Sequence, residues 1–353
     1  MAILLSKIKA VIVRLANRGR GDRFFAWVAD RYQGKKNAAG HPVFPYIKKR
    51  SERTCQILAY HRVNDENDPF FPGLPTIQFA RQMEMLAEYF TVCSLDRLLD
   101  GIQTGDMPEN AVAVTFDDGY RDNYTNAFPV LKRYSIPATI FLATGAIGSA
   151  TTLWHDRVFA AFRKTRAPQL VGFDCTTASL PLGSPGEKLV AQGRVLNLLW
   201  SMDAQEREVA IQRLIDCLET EDDGEIERLM LSWEEVLEMR RSGIDFGAHT
   251  VTHPILSRLS RESAAREIIE SVNRIEEKLG SRVTSFAYPV GREIDFNAMT
   301  KSLLKEAGCR CAVTMIFGSN DSGADPYALR RITPWAENAD VFALRLSYYK
   351  FCS

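Results

Sequence analysis

The chain has 353 residues, 46% apolar and 25% charged, enough to bury the core of one large α/β domain or two small ones. Its 44 Lys and Arg balance its 44 Asp and Glu, so no global basic field points to nucleic acid as a partner. Seven cysteines without a CxxC pair argue against a disulfide-stapled scaffold and read as reduced, mostly buried thiols.

The balance of charge is uneven along the chain. The first 50 residues carry twelve Lys and Arg against Asp22 and Asp30, leaving 32 bases against 42 acids in the remainder. The apolar start, Met1 to Ala16, is broken by Lys7, Lys9 and Arg14. No run approaches the ~20 apolar residues that span a bilayer, and charge does not precede an unbroken apolar stretch as in a secretory signal. The segment reads as a basic amphipathic helix, lying on an anionic membrane surface or packed on the domain. Gly34, Gly40, Pro42, Pro45 and five Lys/Arg over 34–50 then read as a linker. The expected location is cytoplasmic, or peripheral at the inner face of a bacterial membrane.

After the linker, strand and helix signals alternate. Short apolar runs at 56–60, 111–116, 138–143, 244–248, 283–288 and 311–317 predict strands, and the patterns at 77–89, 122–134, 261–279 and 296–307 predict helices. That alternation implies a parallel sheet, open or closed into a barrel. Residues 145–243 break the rhythm with helical patterns at 153–164, 187–200, 204–219 and 232–242, and read as an insertion. Residues 338–353 read as a C-terminal helix. Cys309 and Cys311 alternate at a strand entry and should point the same way, as a metal pair or as plain buried thiols.

Ligands of such sheets gather where strands end. At the junction Thr115-Phe116-Asp117-Asp118-Gly119-Tyr120, two carboxylates close a buried strand. Strand neighbours face opposite sides, so one can bind a cation while the other stays free as a base; a helix cap is the plain alternative. At His249-Thr250-Val251-Thr252-His253-Pro254, two of the chain's five histidines stand four apart, a spacing that puts both imidazoles on one face of a helical turn. Two His and an Asp at strand ends supply three ligands and an open position, the pattern of a catalytic metal site. At Ala287-Tyr288-Pro289-Val290-Gly291, Pro and Gly shape either an ordinary turn or a wall presenting backbone N–H groups to an oxyanion.

These three motifs, in this order, resemble the first three motifs of the polysaccharide deacetylase family, also called NodB-homology or carbohydrate esterase family 4. Ala59-Tyr60-His61-Arg62-Val63 upstream, and Leu153-Trp154-His155-Asp156 and Leu231-Ser232-Trp233 in the insertion, extend the resemblance over about residues 54–335. The resemblance implies a distorted (β/α)7-type barrel with Asp117 as general base. It also implies that Asp118, His249 and His253 hold a divalent metal, zinc first, with cobalt, nickel or manganese as alternatives. No Leu-x-His motif follows His253; His61 at the end of the first strand is the natural acid, as in the circularly permuted deacetylases of poly-β-1,6-N-acetylglucosamine. The usual motif-three Arg is Ala287 here, and Arg330 or Arg331 could reach the Asp117 carboxylate from a late strand.

Tyr288, Pro289, Val290, Arg331 and Trp154 are the candidate substrate contacts. Trp154, Trp233 and Trp335 are each either a sugar platform or a buried wedge. The expected activity is metal-dependent removal of N-acetyl groups from N-acetylglucosamine-type residues of a polysaccharide, oligosaccharide or glycolipid. An O-acetyl esterase and a non-catalytic carbohydrate-binding relative are the alternatives.

Overall fold

The computed structural model describes residues 54–173, 179–220 and 229–334, with Phe342 and Leu346. The basic arm over 1–50, Trp335 and most of the segment 338–353 lie outside the described residues; Phe342 and Leu346, four apart, pack into the main core.

The strands are β1 (Gln56–Tyr60), β2 (Thr91–Val92), β3 (Ala111–Phe116), β4 (Ala138–Leu142), β5 (Gln169–Leu170), β6 (Leu180–Pro181), β7 (Asp245–Ala248), β8 (Ser285–Ala287), β9 (Cys311–Phe317) and β10 (Leu329–Arg331). Seven of them run in the order β1-β3-β4-β7-β8-β9-β10, every pair parallel. The ring closes where Leu58 bridges Ile332, with Ala59 N–H donating to the Ile332 carbonyl at 2.9 Å and Ile332 N–H to the Ile57 carbonyl at 2.8 Å. The result is a (β/α)7 barrel. β1, β3 and β4 are buried along their whole length, so they read as continuous apolar runs rather than alternating ones.

The pleat divides these strands between two cores. Leu58, Tyr60, Val112, Val114, Phe116, Ile140 and Leu142 face outward to the helices. Ile57, Ala111, Ala113, Phe141, Ala287, Cys311, Val313 and Leu329 fill the barrel with mostly small side chains. The helices around it are α1 (Thr76–Tyr89), α2 (Leu95–Thr104), α3 (Phe128–Tyr134), α4 (Trp154–Lys164), α5 (Pro185–Leu199), α6 (Ala204–Cys217), α7 (Trp233–Arg241), α8 (Arg261–Leu279) and α9 (Ala298–Glu306). Helix α2 presents Leu95, Leu98, Leu99 and Ile102 to the interior core and seals the end of the barrel where the strands begin. That leaves the carboxyl end for chemistry. Helix α8 starts at a Ser260 cap and buries Ala264, Ile268, Val272 and Ile275 at helical spacing.

Helices α4, α5 and α6 and the antiparallel pair β5–β6 build their own apolar cluster, from Trp154 to Leu218. Helix α7 belongs to the barrel instead, with Trp233, Val236 and Met239 in the main core. Cys309 and Cys311 do not share a face: Cys309 packs outside the barrel and Cys311 inside it. Cys309 precedes the strand, so the pleat does not govern its direction. Burial pushes the Cys309 thiol up to about 12. No described helix is long and apolar enough to cross a membrane.

Candidate metal and acid–base site

Asp117 and Asp118 leave β3, His249 and His253 follow β7, His61 follows β1 and Arg331 ends β10, all at the carboxyl rim. The backbone there is bent hard. Of the eight non-glycine residues with positive φ among those described, Asp118 (75°), Thr250 (67°), His253 (58°) and Val290 (61°) lie on this rim. Non-glycine residues adopt this region at a cost that surrounding contacts must offset, and such residues cluster at functional sites.

The turn at Asp118 separates the two carboxylates. Asp117 continues the strand, its N–H donating to the Tyr60 carbonyl at 3.0 Å, and Arg331 receives its carboxylate in a two-pronged contact of 2.7 and 2.6 Å. The remaining Arg331 donors reach the Thr314 carbonyl (2.8 Å) and Thr115 Oγ1 (3.2 Å). Of the two arginines offered by the sequence, Arg331 is therefore the one that meets Asp117, and at 1% exposure its fork is engaged wholly with protein groups. Burial alone would raise the Asp117 carboxyl. The Arg331 charge and hydrogen bonds, helped by His249 and His61, outweigh it and hold the group below its ordinary range. His61 Nε2 stands 3.8 Å from the Asp117 carboxylate.

Asp118 turns toward the histidines. Its Oδ1 is 3.4 Å from both His249 Nε2 and His253 Nε2, and the two nitrogens are 3.1 Å apart. The segment 249–253 is not helical; left-handed residues at Thr250 and His253 fold it back and bring the imidazoles together. Glu267 from α8 ties this turn down by accepting from Val251 N–H (2.8 Å), Thr252 N–H (2.9 Å) and Thr252 Oγ1 (2.6 Å). His249 Nδ1 donates to the Ala287 carbonyl at 2.7 Å, which orients the ring with Nε2 toward Asp118 and His253.

A divalent cation fits this set. The three donor atoms lie within 4.8 Å of one another, all on buried residues, and Asp118 Oδ1 is a buried oxygen with no hydrogen-bond partner. A carboxylate oxygen so placed is costly unless a cation compensates it. Burial opposes charge on Asp118, yet the adjacent His249 imidazole outweighs it and holds the carboxyl well below the ordinary range. Burial pushes His253 well below its usual value, so its ring is neutral as a ligand must be. Among the described residues this is the single such group of His, Cys, Asp and Glu.

The other candidates divide. Val290 sits in the loop after Tyr288 with left-handed backbone, between the Ala287 carbonyl that orients His249 and Gly291, whose carbonyl accepts from Met315 N–H at 2.9 Å. The Gly291 N–H is taken by the Pro289 carbonyl at 2.7 Å, and the Val290 N–H has no partner among the described residues. Tyr288 is buried, stacks on Phe296 at 4.5 Å and donates to the Tyr327 carbonyl. Trp154 is buried too, under the Arg207 guanidinium. Trp200, at the end of α5, was not singled out by its sequence context. It is half-buried, packs edge-to-face against Trp154 at 4.5 Å and lies 5.6 Å from the His253 ring. Trp233 is buried in the main core against Gly148.

Comparisons with known proteins agree with this fold. The family model described as polysaccharide deacetylase matches residues 104–312. The YxkH protein of Bacillus subtilis is 24% identical over 289 residues, 81% of this chain and 74% of that one. A poly-beta-1,6-N-acetyl-D-glucosamine N-deacetylase of Staphylococcus aureus is 33% identical over 118 residues, 30% of this chain and 41% of its own length. The solved structure of IcaB from Ammonifex degensii superposes with a TM-score of 0.56 at 20% identity, covering 84% of this chain and 97% of that one. With motifs, barrel and family match in agreement, this chain belongs to the polysaccharide deacetylase family, a family of enzymes.

Proposed function

We propose that the protein is a metal-dependent N-deacetylase acting on N-acetylglucosamine-type residues of a polysaccharide, oligosaccharide or glycolipid. One observation carries this reading: the Asp118, His249 and His253 donors stand beside a separate carboxylate, Asp117, which is held ionised by Arg331 and faced by His61. A bound divalent cation, zinc first and cobalt, nickel or manganese as alternatives, would polarise the acetyl carbonyl and acidify the attacking water.

The chain's own groups account for the proton movements. Asp117 takes the proton of the water that adds to the acetyl carbon. The Val290 N–H is the donor offered to the oxygen on which charge develops. His61, as imidazolium, gives a proton to the amine nitrogen as the C–N bond breaks, because an amide nitrogen leaves poorly as an anion. Acetate and a free amine result, and exchange with solvent returns Asp117 and His61 to their starting forms. Trp200 supports a saccharide reading, since an aromatic face beside the ligands suits the apolar face of a sugar ring. The likeness over 118 residues to a poly-beta-1,6-N-acetyl-D-glucosamine N-deacetylase supports the same substrate class.

The test is acetate release from β-1,6- and β-1,4-linked N-acetylglucosamine oligomers, first as purified, then with a chelator, then with zinc or cobalt restored. Release that stops with chelator and returns with metal is the expected result. Release confined to an O-acetylated polysaccharide would replace the amide reading with an esterase, and none from a folded, metal-loaded protein would overturn both.

A further inference from the structure

Residues 61–64 leave β1 and carry His61; their one regular contact is the bridge of Val63 with Leu74, in which Asn64 N–H donates to the Leu74 carbonyl and Leu74 N–H to the Arg62 carbonyl, both at 3.0 Å. The segment after Gly119 holds them as well. Asp122 Oδ2 accepts from Arg62 Nε at 2.8 Å and from Asn64 Nδ2 at 3.0 Å, and its Oδ1 accepts from Val63 N–H at 3.3 Å. Asn123 Nδ2 donates to the His61 carbonyl at 2.8 Å and to Asp122 Oδ1 at 3.1 Å. Both residues are buried. They begin a π-helical turn, Asn123–Ala127, rather than the α-helix the sequence pattern predicts. Such turns recur at functional sites.

Each of the four residues from His61 to Asn64 is thus gripped by Asp122 or Asn123, five and six positions beyond the Asp117 base. The Arg62 guanidinium cannot easily move away, because it lies between the Phe71 and Tyr120 rings at 5.3 and 5.4 Å. We propose that Asp122 and Asn123 are positioning residues that set the His61 imidazole against Asp117. This rests on the reading of His61 as the acid. Placement matters to proton transfer because a displacement of about 1 Å from the reacting group can cost a factor of about 100.

The experiment compares two substrates that differ in their need for an acid. A β-1,6-linked N-acetylglucosamine oligomer releases an amine that must be protonated, whereas 4-nitrophenyl acetate releases a stable phenolate. The quantity read is the ratio of the amide rate to the aryl-ester rate in the zinc-loaded full chain, with zinc affinity measured alongside. Asp122→Asn and Asn123→Ala should each lower that ratio about 10- to 100-fold with zinc affinity retained, in the direction of His61→Ala. Adding Asp122→Asn to His61→Ala should lower it no further.

A ratio that falls for His61→Ala but holds for both other variants would overturn the positioning role and leave the acid assignment standing. A further fall in the double variant would overturn it as well, since Asp122 would then act on something other than His61. A ratio unmoved by His61→Ala would overturn the acid assignment itself, and this inference with it. Asn123→Ala keeps the Arg62–Asp122 pair, so it carries the test if Asp122→Asn does not fold.

Discussion

Replacing Arg331 by Met should be among the most damaging single changes in the barrel, and a second substitution should partly reverse it. Met keeps the volume but removes both prongs from the Asp117 carboxylate and the donor from the Thr314 carbonyl. Breaking a buried ion pair by removing one partner costs about 3–5 kcal/mol, because a charge is left in low dielectric without compensation. Adding Asp117→Asn removes that charge and leaves only a neutral amide, so the double variant should recover about 2–4 kcal/mol relative to Arg331→Met. Alone, Asp117→Asn strands the Arg331 cation and should destabilise. Two losses that offset one another when combined are the signature of direct coupling. Denaturant unfolding of the four proteins, with a chelator present in all so that metal binding does not enter, measures the cycle. Additive losses, or an Arg331→Met protein within about 1 kcal/mol of the parent, would refute the reasoning.

Three further outcomes are expected. Asp118→Asn, His249→Ala and His253→Ala should each weaken zinc binding by at least about 100-fold in chelator competition, while Asp117→Asn keeps zinc and loses about 10²- to 10⁴-fold in turnover; equal zinc affinity across all four would merge the roles separated here. Trp200→Ala should raise KM for N-acetylglucosamine oligomers several-fold more than it lowers kcat, and an unchanged KM would remove Trp200 from the saccharide path. Gly291→Ala should destabilise by about 1–2 kcal/mol from its left-handed backbone alone. Its φ is 67° and an added Cβ would stand 2.7 Å from the Met315 backbone nitrogen, so thermal unfolding at the parent temperature would contradict this.

The barrel and the five polar groups of the site were legible because they sit where apolar runs stop, a signal carried by short stretches of sequence. Three things were not. The choice between Arg330 and Arg331 depends on strand parity in β10, whose pairing with β9 shifts register between Leu329 and Arg331. The meeting of His249 and His253 was expected from helical geometry but comes from left-handed turns, which non-glycine residues do not announce. Trp200 looks like any residue at a helix end, and only the packing of α5 against α4 puts it near His253. Trp154 drew attention through its neighbours His155 and Asp156, yet its ring is covered by Arg207 from α6, a contact between residues far apart in the chain.

The closure between β1 and β10 carries a consequence for how the molecule comes into being. Arg331 reaches Asp117 across 214 positions, and it does so only when the last stave of the barrel has docked beside the first. A chain emerging from the ribosome will have made β3 long before β10 exists. Until then, shutting the lumen would trap an uncompensated carboxylate, so an incomplete ring is electrostatically biased to stay open and solvated. The same contact that keeps Asp117 charged thus ties sealing of the barrel to completion of its sequence.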